Sequence, residues 1–154
     1  MFIREADLFR GVSQRTIAEI GKESIEENYK TGDVLFREGE EAEAFYVLAE
    51  GRVDISIGEK EVVDFVVERP GEIFGWAALV EPYLRTGTAT CITDVRVVKV
   101  AREVMERVMK KHPEDGFIIM RHLTGIIAQR LRTAYQAASS EVDLMTAAHA
   151  PSYG

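Results

Sequence analysis

Phe45-Tyr46-Val47-Leu48-Ala49-Glu50-Gly51-Arg52-Val53-Asp54-Ile55-Ser56-Ile57-Gly58 sets two runs of β-branched and aromatic residues on either side of a Glu-Gly turn signal. Runs of that length and composition, bounded by glycine and polar residues, read as strands. The pattern repeats outward. Val34-Leu35-Phe36 precedes it; Val62-Val63-Asp64-Phe65-Val66-Val67 and Val95-Arg96-Val97-Val98-Lys99-Val100 follow. Thr31-Gly32-Asp33, Glu38-Gly39-Glu40, Gly58-Glu59 and Arg69-Pro70-Gly71 punctuate the runs, and seven of the twelve glycines lie between 32 and 87. Many short strands with glycine turns and no helix between them predict a mainly β fold, an antiparallel β-roll or jelly-roll-like barrel over about residues 25–100.

Helical spacing returns on both flanks. Ser13 can cap a helix over about 13–23, in which Ile17 and Ile20 recur at helical spacing and Gly21 supplies a stop. After the strands, 101–111 reads as a short helix ending before Pro113. A long one follows over 114–140, with Ile119, Leu123, Ile126, Ile127, Leu131 and Tyr135 on one broad face. Residues 1–140 thus form one domain, and 141–154 are expected to be a flexible tail. At ~1.5 Å per residue the long helix is roughly 40 Å, more than a small barrel needs for cover. The surplus stripe suggests a homodimer through helix 114–140; the alternative is that all of it packs on its own barrel.

Composition excludes several classes. The 154 residues carry 19 basic and 26 acidic side chains, a formal charge of −7. Residues 1–100 hold 12 basic against 20 acidic groups, and 101–154 hold 7 against 6. Phosphate affinity rests on clustered Lys and Arg, so a globally basic nucleic-acid binder is excluded while a local basic reader is not; no direct DNA binding is expected because the stretch after Ser140 is short. A lone Cys91 makes no intrachain disulfide and reads as a small buried hydrophobe. Three histidines, none within 25–100, leave no metal site of the cupin kind and no Ser-His-Asp or Cys-His constellation. The chain is therefore expected not to be an enzyme, with no catalytic or metal residues and no required cofactor. No basic leader with an apolar run opens it, and no apolar run nears the ~20 residues of a membrane span. A cytoplasmic protein without membrane contact is the expectation.

One stretch breaks the strand pattern: Pro70-Gly71-Glu72-Ile73-Phe74-Gly75-Trp76-Ala77-Ala78-Leu79-Val80-Glu81-Pro82-Tyr83-Leu84-Arg85-Thr86-Gly87-Thr88-Ala89. Gly75 followed by Trp-Ala-Ala-Leu-Val predicts a one- to two-turn helix ended by Pro82. Its first backbone N–H groups, the planar donor fork of Arg85 and the Thr86 hydroxyl could together hold one phosphate without a metal. A solvated surface arginine is the plainer alternative.

Gly32, Gly39, Gly51 and Gly71, the pattern Phe45-Tyr46-Val47-Leu48 then Gly51-Arg52-Val53, and the cassette Phe74–Ala89 together resemble the cyclic nucleotide-binding domain of the catabolite activator protein and kinase regulatory subunit superfamily. The resemblance covers about Leu8 to Tyr135. It implies a non-catalytic regulatory module whose ligand is a phosphate-bearing small molecule such as cAMP or cGMP. The implied ligand-binding residues are Phe74, Gly75, Trp76, Ala77, Ala78, Arg85 and Thr86, with Tyr135 placed on the long helix to stack on the base or, alternatively, to pack along the helix face. Arg85 would pair with the cyclic phosphate, and a Thr at 86 is similar to the residue that favours guanine in some members.

Two departures stand out. The family cassette reads Phe-Gly-Glu, and the Glu accepts the ribose 2′-hydroxyl. Here Trp76, a donor only, takes its place. That loss should cost on the order of 1–3 kcal/mol, unless the indole stacks on a ring or fills the ribose pocket. Moreover, only 14 residues follow Ser140, too few for a helix-turn-helix domain. A stand-alone form without a DNA-binding domain is implied, answering to an unknown downstream protein through movement of its C-terminal helix. The alternative is a degenerate, ligand-free domain that serves dimerisation or protein interaction, with Trp76 as a plug.

Overall fold

A computed structural model describes residues 2–58 and 63–146. Two 3₁₀ turns, Phe2–Glu5 and Asp7–Phe9, lead into helix α1 (Gln14–Glu23). Eight strands follow: β1 (Ile25–Tyr29), β2 (Val34–Phe36), β3 (Ala44–Glu50), β4 (Val53–Ile57), β5 (Val63–Val67), β6 (Ile73–Phe74), β7 (Thr88–Cys91) and β8 (Val95–Ala101). Helices α2 (Arg102–Lys111) and α3 (Pro113–Thr146) complete the order. The sequence expectations for Val62 and for residues 147–154 lie outside the described residues.

The strands form two antiparallel four-stranded sheets, ordered β1-β8-β3-β6 and β2-β7-β4-β5. This is the β-roll the strand pattern predicts. Strand β3 is buried at every position except Glu50, because both of its faces are covered. Phe45 and Val47 point to the helices and join Ile20, Val104, Met105, Ile119 and Leu123. Tyr46 and Leu48 point between the sheets and join Phe36, Val53, Phe74, Cys91 and Val97. A strand with two buried faces loses the polar alternation of a half-exposed one, which is why 45–49 reads as an unbroken apolar run. Cys91, 2% exposed, is a core residue, and burial pushes its thiol up to about 11.

Gly51 makes the β3–β4 turn with φ 101°, and a Cβ there would lie 2.4 Å from the Asp94 carbonyl oxygen. Only glycine fits both the left-handed backbone and that contact.

Ser13 caps α1, its Oγ accepting from the Thr16 N–H at 3.4 Å. The Ser13 and Thr16 hydroxyls also donate to the Asp115 carboxylate, at 2.6 and 2.5 Å. The starts of α1 and α3 are thereby tied together. Gly21 does not end α1 as the sequence reading held. It does not take the left-handed conformation by which glycine stops a helix, and α1 runs to Glu23, where extended Ser24 ends it. Helix α3 starts at Pro113, suited to a first helical position, and runs to Thr146 rather than stopping near 140. At ~1.5 Å per residue it is about 50 Å long.

Candidate functional site

Between the roll and α3 lies a cavity of about 200 Å³. The roll contributes Phe36, Ile55, Ile57, Phe65 and Phe74, the cassette contributes Gly75–Ala77 and Arg85–Gly87, and α3 contributes Ile127, Arg130, Leu131 and Ala134. A water needs only ~10–15 Å³ on this measure, so the space is far larger than a packing defect.

The cassette is shaped by its own short-range chemistry. Strand β6 ends at Phe74, and Gly75 turns the chain with φ 74° and ψ 27°. The turn that follows, Trp76–Leu79, is a single 3₁₀ turn, shorter than an α-helical segment. Its Ala78 N–H returns to the Gly75 carbonyl at 3.4 Å, and the N–H groups of Trp76 and Ala77 have no backbone acceptor among the described residues. After Pro82 and Tyr83 the backbone bridges to the 39–42 segment: Arg85 N–H donates to the Glu40 carbonyl at 2.8 Å, and Gly39 N–H donates to the Arg85 carbonyl at 2.9 Å. Arg85 is thus pinned by its main chain before its side chain is considered.

That side chain is 6% exposed. Its Nη1 donates to the Gly75 carbonyl at 2.8 Å and its Nη2 to the Ala44 carbonyl at 2.7 Å. The Cζ stands 4.0 Å over the centre of the Phe36 ring, which stacks on Tyr46, itself stacked on Phe74. The buried Nε has no hydrogen-bond partner. Among the described residues no carboxylate forms an ion pair with Arg85. Burial pushes the guanidinium below its ordinary pKa for that reason. A buried cation with carbonyl and aromatic support but no counter-ion is costly unless an anion arrives. Gly75 leaves room for it: a Cβ there would sit 2.9 Å from Nη1 and 3.3 Å from Phe36.

Of the residues singled out from the sequence, Phe74, Gly75, Trp76, Ala77, Arg85 and Thr86 are brought together around the cavity. Thr86 is exposed on the rim; Ala78 is fully buried behind the turn, against Ala42 and Ala77. Trp76 is half-buried in the wall, and the cavity remains beside it. Tyr135 is 43% exposed and lies outside the lining, next after Ala134. Neither nearby carboxylate turns inward. Glu81 is exposed, and Glu72 Oε2 takes a hydrogen bond from Arg130 at 3.1 Å.

Sequence reasoning missed Arg130. It lines the cavity with its Cζ 5.3 Å from the Phe65 ring centre, and its spacing of three from Ile127 was the available signal. Ile55 and Ile57 were equally readable from alternation along β4. Among the described residues no cluster could hold a metal ion, and no helix is long and apolar enough to cross a membrane.

Comparison with known proteins bears on this geometry. A CRP-like cAMP-activated global transcriptional regulator of Mycobacterium tuberculosis is 29% identical over 134 residues, covering 84% of this chain and 57% of its own length. The chain therefore spans little more than half of that relative. A solved structure from Geobacter metallireducens GS-15, described as a cyclic nucleotide-binding protein, superposes with a TM-score of 0.72 at 26% identity, over 83% of this chain and 94% of that one. The regulatory domain of Toxoplasma gondii PKA, crystallised with cAMP, shares the fold at a TM-score of 0.61 and 22% identity, over 70% and 41% of the two chains. The sequence pattern of the cyclic nucleotide-binding domain matches residues 26–112, and the chain belongs to that family.

Proposed function

We propose that the cavity binds a cyclic nucleotide, cAMP or cGMP, and that the protein is a non-catalytic sensor acting in the cytoplasm. The observation that carries this reading is Arg85, a buried guanidinium facing the cavity without a counter-ion. The cyclic phosphate pairs with Arg85, helped by Thr86 and the N–H groups that open the Trp76 turn. The base lies toward Ile127, Leu131 and Ala134 on α3. Trp76 takes the ribose side, where its indole offers a face rather than a carboxylate.

Signalling follows if the nucleotide prefers one position of α3 over another. Tyr135 reaches the base only in a shifted α3. A homodimer through α3 is the second part of the proposal. Phe117, Leu131 and Tyr135 are exposed, and with Thr124 and Ala128 they recur at heptad spacing along one face. Leu131 borders both that face and the cavity, so a second copy would sit beside the ligand. A downstream protein reads the result.

Calorimetric titration with cAMP and with cGMP tests the ligand. Binding of either at micromolar strength or better is the expected result. No heat and no change of melting temperature with either would favour the ligand-free interaction module instead.

A further inference from the structure

The floor of the cavity is a row that crosses one sheet from edge to edge. Phe36 on β2 is paired with Ala89 on β7, Ala89 with Ile55 on β4, and Ile55 with Phe65 on β5. Directly paired residues point to the same face, and Phe36, Ile55 and Phe65 all border the space. Three strand spacings of ~4.8 Å set the two phenylalanines about 14 Å apart across the sheet. A guanidinium stands at each end of the row. The Cζ of Arg85 is 4.0 Å from the centre of the Phe36 ring, and that of Arg130 is 5.3 Å from the centre of the Phe65 ring.

The two ends differ in kind. Arg85 is buried, with its Nε unbonded, and calls for an anion. Arg130 is already neutralised: its Nη2 donates to Glu72 Oε2 at 3.1 Å. A second anion would meet a charge that is cancelled. Every guanidinium nitrogen is nevertheless a donor, and the Nε and Nη1 of Arg130 have no partner among the described residues. The other α3 side chains in the wall, Ile127, Leu131 and Ala134, neither donate nor accept. Glu72 does not line this cavity and is fixed in turn, its Oε1 accepting from the Glu68 and Arg69 N–H groups at 3.3 and 3.2 Å. What remains at the Phe65 end is a held set of N–H groups on a charge-compensated side chain, which fits a neutral acceptor edge.

We propose that Arg130 reads the base of the nucleotide and selects guanine over adenine, so that this site takes cGMP in preference to cAMP. The inference rests on the reading of the cavity as a cyclic nucleotide site with the phosphate at Arg85. The row then carries sugar and base away from Phe36 toward Phe65 and Arg130. Guanine presents two acceptors side by side, O6 and N7, and these match two N–H groups of a guanidinium. Adenine puts its N6 amino donor where guanine has O6, which sets N–H against N–H.

Calorimetric titration of the full chain with cGMP, cAMP and cIMP, in the wild type and in Arg130→Leu, tests this. cIMP keeps O6 and N7 but lacks the 2-amino group of guanine, so it separates reading by Arg130 from capture of that amino group by an acceptor such as Thr86 Oγ. The wild type should bind cGMP and cIMP alike, each at least about tenfold (~1.4 kcal/mol) more tightly than cAMP. Arg130→Leu keeps an apolar wall and leaves Glu72 its two backbone donors. In it cGMP affinity should fall to within about threefold of cAMP, while cAMP affinity changes less than about fivefold. The wild-type arm compares three ligands on one folded protein, so it decides the matter even if the variant does not fold. Binding of cAMP as tight as that of cGMP, cIMP behaving like cAMP, or a cGMP preference that survives in Arg130→Leu would overturn the assignment and leave the cavity a cyclic nucleotide site. Absence of binding by all three would overturn both readings.

Discussion

The two walls of the first cavity are held by different means. On the cassette side, Arg85 is held by backbone groups, namely the left-handed Gly75, the bridge from Glu40 to Arg85 and carbonyl oxygens at 2.7 and 2.8 Å, with the Phe36 ring against its guanidinium. On the α3 side, the wall is Ile127, Leu131 and Ala134, and the Arg130–Glu72 pair ties it to the roll. The first wall is assembled before a ligand arrives; the second rests on apolar contact and the Arg130–Glu72 ion pair. A site built this way recognises charge with its fixed half and can report occupancy with its less tightly held half.

Removing the fixed half's charge gives the largest effect. Arg85→Ala should lower nucleotide affinity by about a hundredfold or more, since a charge-assisted pairing in a dry site is lost. Calorimetry measures this. Truncation also leaves the Gly75 and Ala44 carbonyls without their donor, so the melting temperature should fall too, and binding is compared well below it.

Gly75→Ala comes next. The new Cβ would press on Nη1 at 2.9 Å and hold a left-handed backbone, costing about 1–3 kcal/mol. Denaturant melts should show that loss, with weaker nucleotide binding alongside.

Trp76→Glu sharpens the comparison from the other direction. If the nucleotide lies as proposed, restoring a carboxylate should strengthen cAMP binding by about tenfold, consistent with a charged hydrogen bond of ~1.5 kcal/mol. Unchanged affinity would mean that the indole itself supplies the ribose contact.

Glu72→Gln addresses the α3 wall. Hydrogen exchange should quicken over residues 126–134 in the free protein, while affinity changes less than about tenfold, because the pair is partly exposed.

The smallest effect lies far from the cavity. Hydrogen bonds from the Ser13 and Thr16 hydroxyls hold the Asp115 carboxyl below its ordinary pKa. In this pH range the unfolded chain binds more protons at this group than the folded one. The stabilisation is therefore complete above the ordinary carboxylate pKa and disappears as pH falls through the lowered value. Asp115→Asn should flatten the acid limb by lowering stability at neutral pH toward its acid value, leaving the stability at the acid end nearly untouched.

The same contrast explains what the sequence made legible. The cassette is one continuous stretch, so Gly75, Arg85 and Thr86 could be read together from spacing and chemistry. The β-roll was equally open, because glycine turns and β-branched runs are local signals. Strand β6 was not: two residues carry no period. Arg130 and Phe65 escaped because they meet the cassette only through tertiary packing, from positions distant in sequence. Gly21 misled for a related reason, since a helical glycine stops a helix only when its backbone turns left-handed, and that conformation is not written in the residue type.

Trp76 is the chain's single tryptophan and lies in the cavity wall, so its fluorescence reports on this site alone. Titrating cAMP and cGMP into the wild-type protein and into Arg85→Ala, while following that emission, tests the central claim most directly. A saturable change in the wild type that vanishes in the variant is the expected result. The same titration curve in both proteins, or none with either nucleotide, would contradict the assignment of Arg85 as the anchor of a cyclic phosphate.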